Sequence, residues 1–370
     1  MIHLLRASHA NQFELQNYKG IKDLQVITSQ HPLTKISLPA TKLWSPTDLP
    51  QFPFRRQILN RLIGGEQWLL GLDKAIRSYS VESIQRNVVH SAETYTPYTH
   101  QAVQLRKSGK IDKLVCTCWE TIPHNNEKFG RLRKWKQEAY KYVDLFHTPT
   151  DRAKQALITE GVDPAKIVVI PYGVDLTRFK PIRRSKNIRP LVLTVARLEK
   201  EKGMEDIETV ASALLQYDFL VIGQGSRPPV GKNIEVKSVP YKSIHKIYQS
   251  ADLFFLPSRT TRTWEEQYGM CLVEAMASGV PIVATDTGAI KEVIGEHEIL
   301  VKEGDIAAMT LSIDGALSYK CNVLQLSRAG RARAERLYDA KKVATLLARL
   351  YHPCQHQIEM SAFLQHRNVL

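Results

Sequence analysis

Glu266 and Glu274 stand eight residues apart within the run from Trp264 to Pro281, WEEQYGMCLVEAMASGVP. The pattern predicts a polar loop, a short apolar helix opening near Gly269, and a stop at Gly279 and Pro281. A helix that opens on a glycine and is approached by carboxylates is a place to dock a ligand. Its first-turn N–H groups have no intrahelical partner, and its positive dipole end attracts anions. Ile282-Val283-Ala284-Thr285 then reads as a strand buried in a parallel sheet. Two cations follow another apolar strand, Pro190 to Val195: Arg197 and Lys202, in the run Ala196 to Gly203. Arg presents a planar fork to phosphate oxygens, and Lys adds a compact charge. Taken singly, such acids are most often solvated or capping and such lysines exposed; Arg197, directly behind an apolar strand, fits that account least. Phe219 to Ile222 is a further strand, ending in Gly223-Gln224-Gly225, although a lone Gly-x-Gly is a weak phosphate signal.

Together these residues resemble the E-x7-E signature of the retaining GT-B glycosyltransferases of family 4, including Tyr268-Gly269 after the first Glu and the Glu-Ala-Met-Ala-x-Gly-x-Pro run. Pro171-Tyr-Gly-Val-Asp175 through Phe179-Lys-Pro181 is similar to that family's entry into its donor domain. The resemblance is dense from Pro171 to Gly295, loose before that and faint after Tyr338. It implies an α/β fold of two doubly wound, Rossmann-like domains facing a cleft. It also implies transfer of a hexose, with retention, from a UDP- or GDP-linked nucleotide diphosphate sugar to a hydroxyl of a glycan, glycolipid or small-molecule acceptor. By the same resemblance Arg197 and Lys202 hold the donor diphosphate, Glu274 the ribose and Glu266 the sugar. Gly223, Gly225, Val239, Tyr268, Gly269, Met270 and Cys271 would complete the donor site. No metal and no cofactor are expected, since the two cations and the helix N-terminus would stabilise the leaving group. A two-carboxylate hydrolase needs both acids flanking the bond, which a ribose-bound Glu274 would not do. Two alternatives remain at this point. One is another GT-B enzyme, an epimerase or a phosphorylase, although a phosphorylase would need a pyridoxal-phosphate lysine that nothing here marks. The other is a basic membrane- or nucleic-acid-binding protein with a degenerate donor site.

The elements that would position these groups divide into an acceptor domain (1–172), a donor domain (173–345) and a tail (346–370) crossing back to the first. In the first domain, Ile2–Leu5, Leu24–Thr28, Asn87–His90 and Leu114–Cys118 read as strands, with Glu14 to Gly20 as a short helical piece. Asp144 to Thr150 reads as the sheet's last strand, with Lys166–Ile170 leading to the junction. Pro32 to Pro53 holds five prolines and is expected to be irregular. Gln57 to Tyr79 is expected to form one or two helices broken at Gly64-Gly65. Ligands of open α/β sheets bind beyond the carboxyl ends of the strands, which makes His90, Glu93, Trp119, Glu120 and Asn125 candidate acceptor contacts. Two departures from the family stand out. Ala7 to Gln12 carries no glycine where many relatives have a glycine-rich turn, and Trp119-Glu120 occupies the place of a common histidine.

Length and composition agree with this division. A chain of 370 residues accommodates two ordinary domains, and 43% hydrophobic with 24% charged residues describes a globular protein. No apolar run approaches the ~20 residues of a bilayer span, and the N-terminus lacks a signal peptide's apolar region, so a cytoplasmic protein is expected. Five irregularly spaced cysteines fit neither a disulfide framework nor a zinc site; Cys116 and Cys118 read as core thiols. The net charge is +14, and residues 1–172 carry 24 Lys/Arg against 15 Asp/Glu. This favours anionic partners. The basic, aromatic stretch from Phe54 to Arg77 suggests an anionic membrane surface as a partner, with core packing of Trp68-Leu69-Leu70 as the alternative. Arg131 to Tyr142 reads as a basic helix with a solvated face and Leu132 and Tyr142 inward. No nucleic-acid-binding module is recognisable, so nucleic acid is not expected as a partner.

Overall fold

The computed structural model describes residues 1–77, 87–183, 187–296, 298–318 and 320–352. Among the described residues, thirteen strands form two sheets in which every strand pair is parallel. The first contains β1 (Ile2–Ala7), β2 (Leu24–Thr28), β3 (Ala40–Lys42), β4 (Val88–Ala92), β5 (Lys113–Thr117), β6 (Leu145–Thr148) and β7 (Ile167–Val169). The second contains β8 (Leu191–Val195), β9 (Asp218–Ile222), β10 (Ile234–Lys237), β11 (Leu253–Leu256), β12 (Ile282–Thr285) and β13 (Ile299–Val301). The orders are β3-β2-β1-β4-β5-β6-β7 and β10-β9-β8-β11-β12-β13. Each sheet therefore grows outward from its first strand in one direction and then in the other. A crevice opens at each reversal, beyond the carboxyl ends of β1 and β4 and of β8 and β11.

Strand composition follows from helices lying on both faces. All six residues of β1 and all four of β11 and β12 are buried, which requires the continuous apolar runs seen in Leu253-Phe-Phe-Leu256 and Ile282-Val-Ala-Thr285. Burying each such Leu, Ile, Val or Phe contributes roughly 1.5–3 kcal/mol. Among the described residues no helix is long and apolar enough to cross a membrane.

The chain leaves the first sheet at Tyr172 and returns at Tyr338. The two passages touch: Val174 N–H donates to Tyr338 O (2.9 Å) and Ala340 N–H to Val174 O (3.1 Å). A Cβ on Gly173 would lie 2.3 Å from Tyr338 O, so only glycine permits this approach. The helix Ala340–Arg349 then packs on the turn Gln16–Tyr18 under the first sheet. Tyr351 Oη reaches His90 Nδ1 at 2.8 Å.

Three expectations need correction. The proline-rich segment contains β3, which pairs with β2 at the sheet edge, where a short strand tolerates neighbouring prolines. The first sheet ends at β7 and not at β6, because Ile167–Val169 pairs with Phe146–Thr148. In the basic helix Gly130–Tyr142, Trp135 and Ala139 point inward, with Leu132 and Tyr142 only half-buried. The helix Arg55–Ile63 does stop at Gly64 (φ 81°), and the next runs Leu72–Arg77; residues 78 and 79 lie outside the described residues. Cys116 and Cys118 are buried free thiols, 3.8 Å apart.

Candidate active site

Arg197 and Lys202 follow β8, and Ser258 and Glu266 follow β11, so all four sit at the crevice of the second sheet. Lys202 ends the turn Lys200–Lys202, and Gly203 (φ 70°) starts the helix Met204–Ala213. A Cβ on Gly203 would lie 2.0 Å from Pro257 O, so a glycine lets the lysine loop lie against the end of β11. Lys202 Nζ donates to Glu266 Oε2 at 2.5 Å, and Ser258 Oγ donates to the same oxygen at 3.1 Å. The ammonium also lies 4.5 Å from the Trp264 ring centroid, within cation–π range. Both charged groups are buried. The Glu266 backbone is held too: Ala289 N–H donates to its carbonyl at 2.8 Å. Gly288 (φ 57°) passes so close that a Cβ would lie 2.1 Å from that oxygen.

Gly269 (φ 72°, ψ 64°) caps the helix Met270–Ala277, a left-handed conformation suited to glycine. Glu274 lies on the buried side of that helix, where Tyr248 Oη donates to its Oε2 at 2.7 Å and Tyr241 lies nearby. Burial pushes the Glu274 carboxyl up to about 7, against the pull of both tyrosines and of Arg178. Arg178 donates to Tyr241 O at 2.8 Å and lies 5.1 Å from the Tyr241 ring centroid. Gln16, from the first half of the chain, donates to Tyr241 Oη at 3.1 Å. The two carboxylates thus have different surroundings, Glu266 with cations and Glu274 with phenols.

The other donor-side candidates separate by position. The Arg197 side chain is exposed and pairs with Glu201 at 2.9 Å, apart from the Lys202–Glu266 pair. Gly223 and Gly225 let the Arg197 loop lie against the turn after β9: Leu198 N–H donates to Gln224 O at 2.9 Å, and Cβ atoms on the glycines would lie 1.8 Å from Ala196 O and 2.3 Å from Leu198 O. Val239, half-buried, follows β10. Met270 and Cys271 form the first turn at Gly269, and burial pushes the Cys271 thiol up. Tyr268 faces the first half: its hydroxyl donates to Tyr172 O, and its ring meets Trp119 edge-on at 5.7 Å.

On the first sheet Trp119 stacks on Tyr172 with ring centroids 4.6 Å apart. Glu93 (φ 60°) accepts from Trp119 N–H at 2.8 Å, and burial, with the nearby Glu120 charge, pushes its carboxyl up to about 8. Glu120 is committed to its own loop, accepting from Thr121 and Ile122 N–H (both 3.0 Å) and from the Asn125 and Asn126 amides (both 2.9 Å). Asn125 also donates to Thr263 O at 3.0 Å and so ties that loop to the one bearing Glu266. His90 is not on a loop. It is fully buried in β4, with Nδ1 on Tyr351 and Nε2 on Thr117 (2.7 Å), and burial lowers its pKa well below the usual histidine value.

Sequence reasoning missed the residues that join the halves. Arg152 donates to both oxygens of Glu265, at 2.5 and 2.7 Å. Burial works against ionisation of Glu265, but the hydrogen bonds and charge of Arg152 hold it below the usual carboxylate range. Glu292 accepts from Asp151 and Arg152 N–H (2.7 and 3.2 Å), which places a carboxylate at the N-terminus of the helix Asp151–Thr159. With partners 113 and about 140 residues away, no local pattern marks these contacts. Among the described residues one cluster, His124, Glu127 and Glu160, has the spacing of metal ligands. There Lys136 Nζ lies 3.1 Å from Glu127 and 2.7 Å from Glu160 as a counter-ion.

Loops from the carboxyl ends of both sheets therefore meet at one junction, joined by Tyr268–Tyr172, Asn125–Thr263 and Arg152–Glu265. Residues 36–178 match the model of "Glycosyltransferase Family 4" and residues 189–318 that of "Glycosyl transferases group 1", covering most of the chain between them. The amylovoran biosynthesis glycosyltransferase AmsK of Erwinia amylovora is 30% identical over 218 residues, 52% of this chain and 53% of that protein. The chain spans about half the length of the curated relatives it matches. Sucrose-phosphate synthase of Thermosynechococcus elongatus superposes with a TM-score of 0.75 at 17% identity, over 95% of this chain and 98% of that one. HepE of Anabaena, in complex with UDP and glucose, gives 0.73 at 16% identity, over 94% and 98%. With both family models matched and the same two-sheet architecture throughout, the chain belongs to the group 1, family 4 glycosyltransferases and has the GT-B fold.

Proposed function

We propose that the protein transfers a hexose from a nucleotide diphosphate sugar, UDP- or GDP-linked, to a hydroxyl of a glycan, glycolipid or small molecule, with retention at the anomeric carbon. The observation that carries this reading is the buried Lys202–Glu266 pair at the crevice of the second sheet, beside the Gly269-capped helix that holds Glu274. A diphosphate at that helix N-terminus would compete with Glu266 for Lys202 and with Glu201 for Arg197. Both cations would then stabilise the charge that grows on the leaving group without a metal ion. Glu266, freed from Lys202, would contact the sugar. Glu274 would accept the ribose hydroxyls, with Tyr248 orienting its carboxyl. The donor would thus rest on residues 173–345 and the acceptor on residues 1–172, near Trp119, Glu93 and Asn125. HepE, a structural neighbour bound to UDP and glucose, supports a nucleotide-sugar donor.

The test is thermal unfolding against a panel of nucleotides and nucleotide sugars, with and without Mg²⁺. A ligand at 100 times its dissociation constant stabilises the folded state by about 2.7 kcal/mol. One nucleotide should raise the midpoint without Mg²⁺, and Arg197→Ala and Glu274→Gln should abolish the rise. No rise with any nucleotide in a folded sample would refute the donor assignment.

A further inference from the structure

The helix Arg55–Ile63 covers little of the core, for Arg55 is its one buried residue. Phe54, Ile58 and Leu62 recur every four residues and are 71%, 42% and 65% exposed. That spacing puts Ile58 and Leu62 on one side of the helix, with Phe54 at its N-cap. Leu62 and Ile63 continue into an open groove of about 710 Å³ whose wall includes Leu70, 53% exposed. The groove is also lined by Trp68 and Trp135, packed edge-to-face at 5.7 Å. Single exposed apolar side chains are ordinary, but a row of them running into an apolar groove marks a contact surface. Of the run Trp68-Leu69-Leu70, only Leu69 is fully buried.

The rim of this surface is cationic. Arg61 precedes Leu62 on the helix, Arg131 donates to Leu62 O at 2.9 Å, and Lys134 borders the groove one turn further along the helix Gly130–Tyr142. The carboxylate on this face, Glu138, is paired with Lys107 at 3.6 Å. We infer that this face docks on an anionic lipid bilayer, with Phe54, Ile58 and Leu62 entering the headgroup region and Arg61, Arg131 and Lys134 on the lipid phosphates. Charge selects this occupant. A second copy packed about a two-fold axis would set the same cations against one another, whereas an anionic surface neutralises all of them. The inference does not depend on the transfer reaction.

Flotation of the full chain with phosphatidylcholine vesicles, alone or mixed with phosphatidylglycerol, tests it, with sedimentation velocity run in parallel. Three cations near the surface should favour the anionic vesicles by on the order of a hundredfold, and high salt should remove that preference. The triple variant Phe54→Ser, Ile58→Ser, Leu62→Ser should lose at least about tenfold of the binding. Because these side chains are exposed, its thermal unfolding should be unchanged. Equal flotation with both vesicles, no flotation, or flotation untouched by the triple variant would overturn the inference. A dimer that the triple variant turns into a monomer, without flotation, would assign the face to a second copy instead.

Discussion

Lys202 and Glu266 depend on each other, because neither charge is stable where it sits without its partner. Lys202→Met leaves Glu266 buried without a counter-charge and should cost about 3–5 kcal/mol in denaturant titrations. Adding Glu266→Gln should recover part of that loss, which distinguishes an unpaired charge from lost packing. Glu274 makes a different prediction. Its carboxyl titrates at about 7 in the folded chain against an ordinary 4.5, so the folded state holds the extra proton between those values. Its contribution to stability is complete below pH 4.5 and is lost as pH rises to about 7, by up to roughly 3 kcal/mol. Glu274→Gln should flatten that part of the stability–pH curve. Nucleotide binding should run the other way. If the ribose needs the carboxylate, affinity should rise about tenfold per pH unit towards 7 and level off above it. A pH-independent dissociation constant between pH 5.5 and 8 would remove Glu274 from the ribose.

At the level of loops and helices, the segment carrying Glu266 is clamped from several sides. Gly288 presses on its backbone from the second sheet, and Arg152 and Asn125 reach it from the first. Gly288→Ala combines a positive φ with an impossible contact and should lower the unfolding midpoint and the activity together. Arg152→Ala strands the buried Glu265. It should cost about 1–3 kcal/mol, less than a fully enclosed pair because the Arg152 side chain is 48% exposed; Glu265→Gln in the same chain should restore most of it. The donor-side elements were legible in the sequence because their signals are local. Gly269, Glu274, Gly279 and Pro281 mark one helix within thirteen residues, and that helix forms as read. The acceptor loops were not legible. Glu120 and His90 stand where a ligand contact belongs, but the partners that occupy them, including Tyr351, are fixed by the assembled fold and not by spacing. β3 escaped notice because its three residues lie among prolines and gain their pairing only from β2.

Across the whole molecule, the first sheet is finished by residues from the far end of the chain. Tyr351→Phe removes the partner of His90 Nδ1 deep in that sheet and should cost about 1–3 kcal/mol, read as a lower midpoint in chemical denaturation. The passages at Val174 and Tyr338 lie side by side, while Arg152–Glu265 and Asn125–Thr263 join the halves at the mouth.

The same crossing has a consequence for biosynthesis. Chains are made from the N-terminus, and domains generally fold as they emerge. Here the half synthesised first is completed last, since the turn Gln16–Tyr18 and His90 wait for Ala340 to Tyr351. Until those residues leave the ribosome, the nascent first sheet keeps an uncovered face, and a ribosome stalled just short of them would hold it in a chaperone-dependent state.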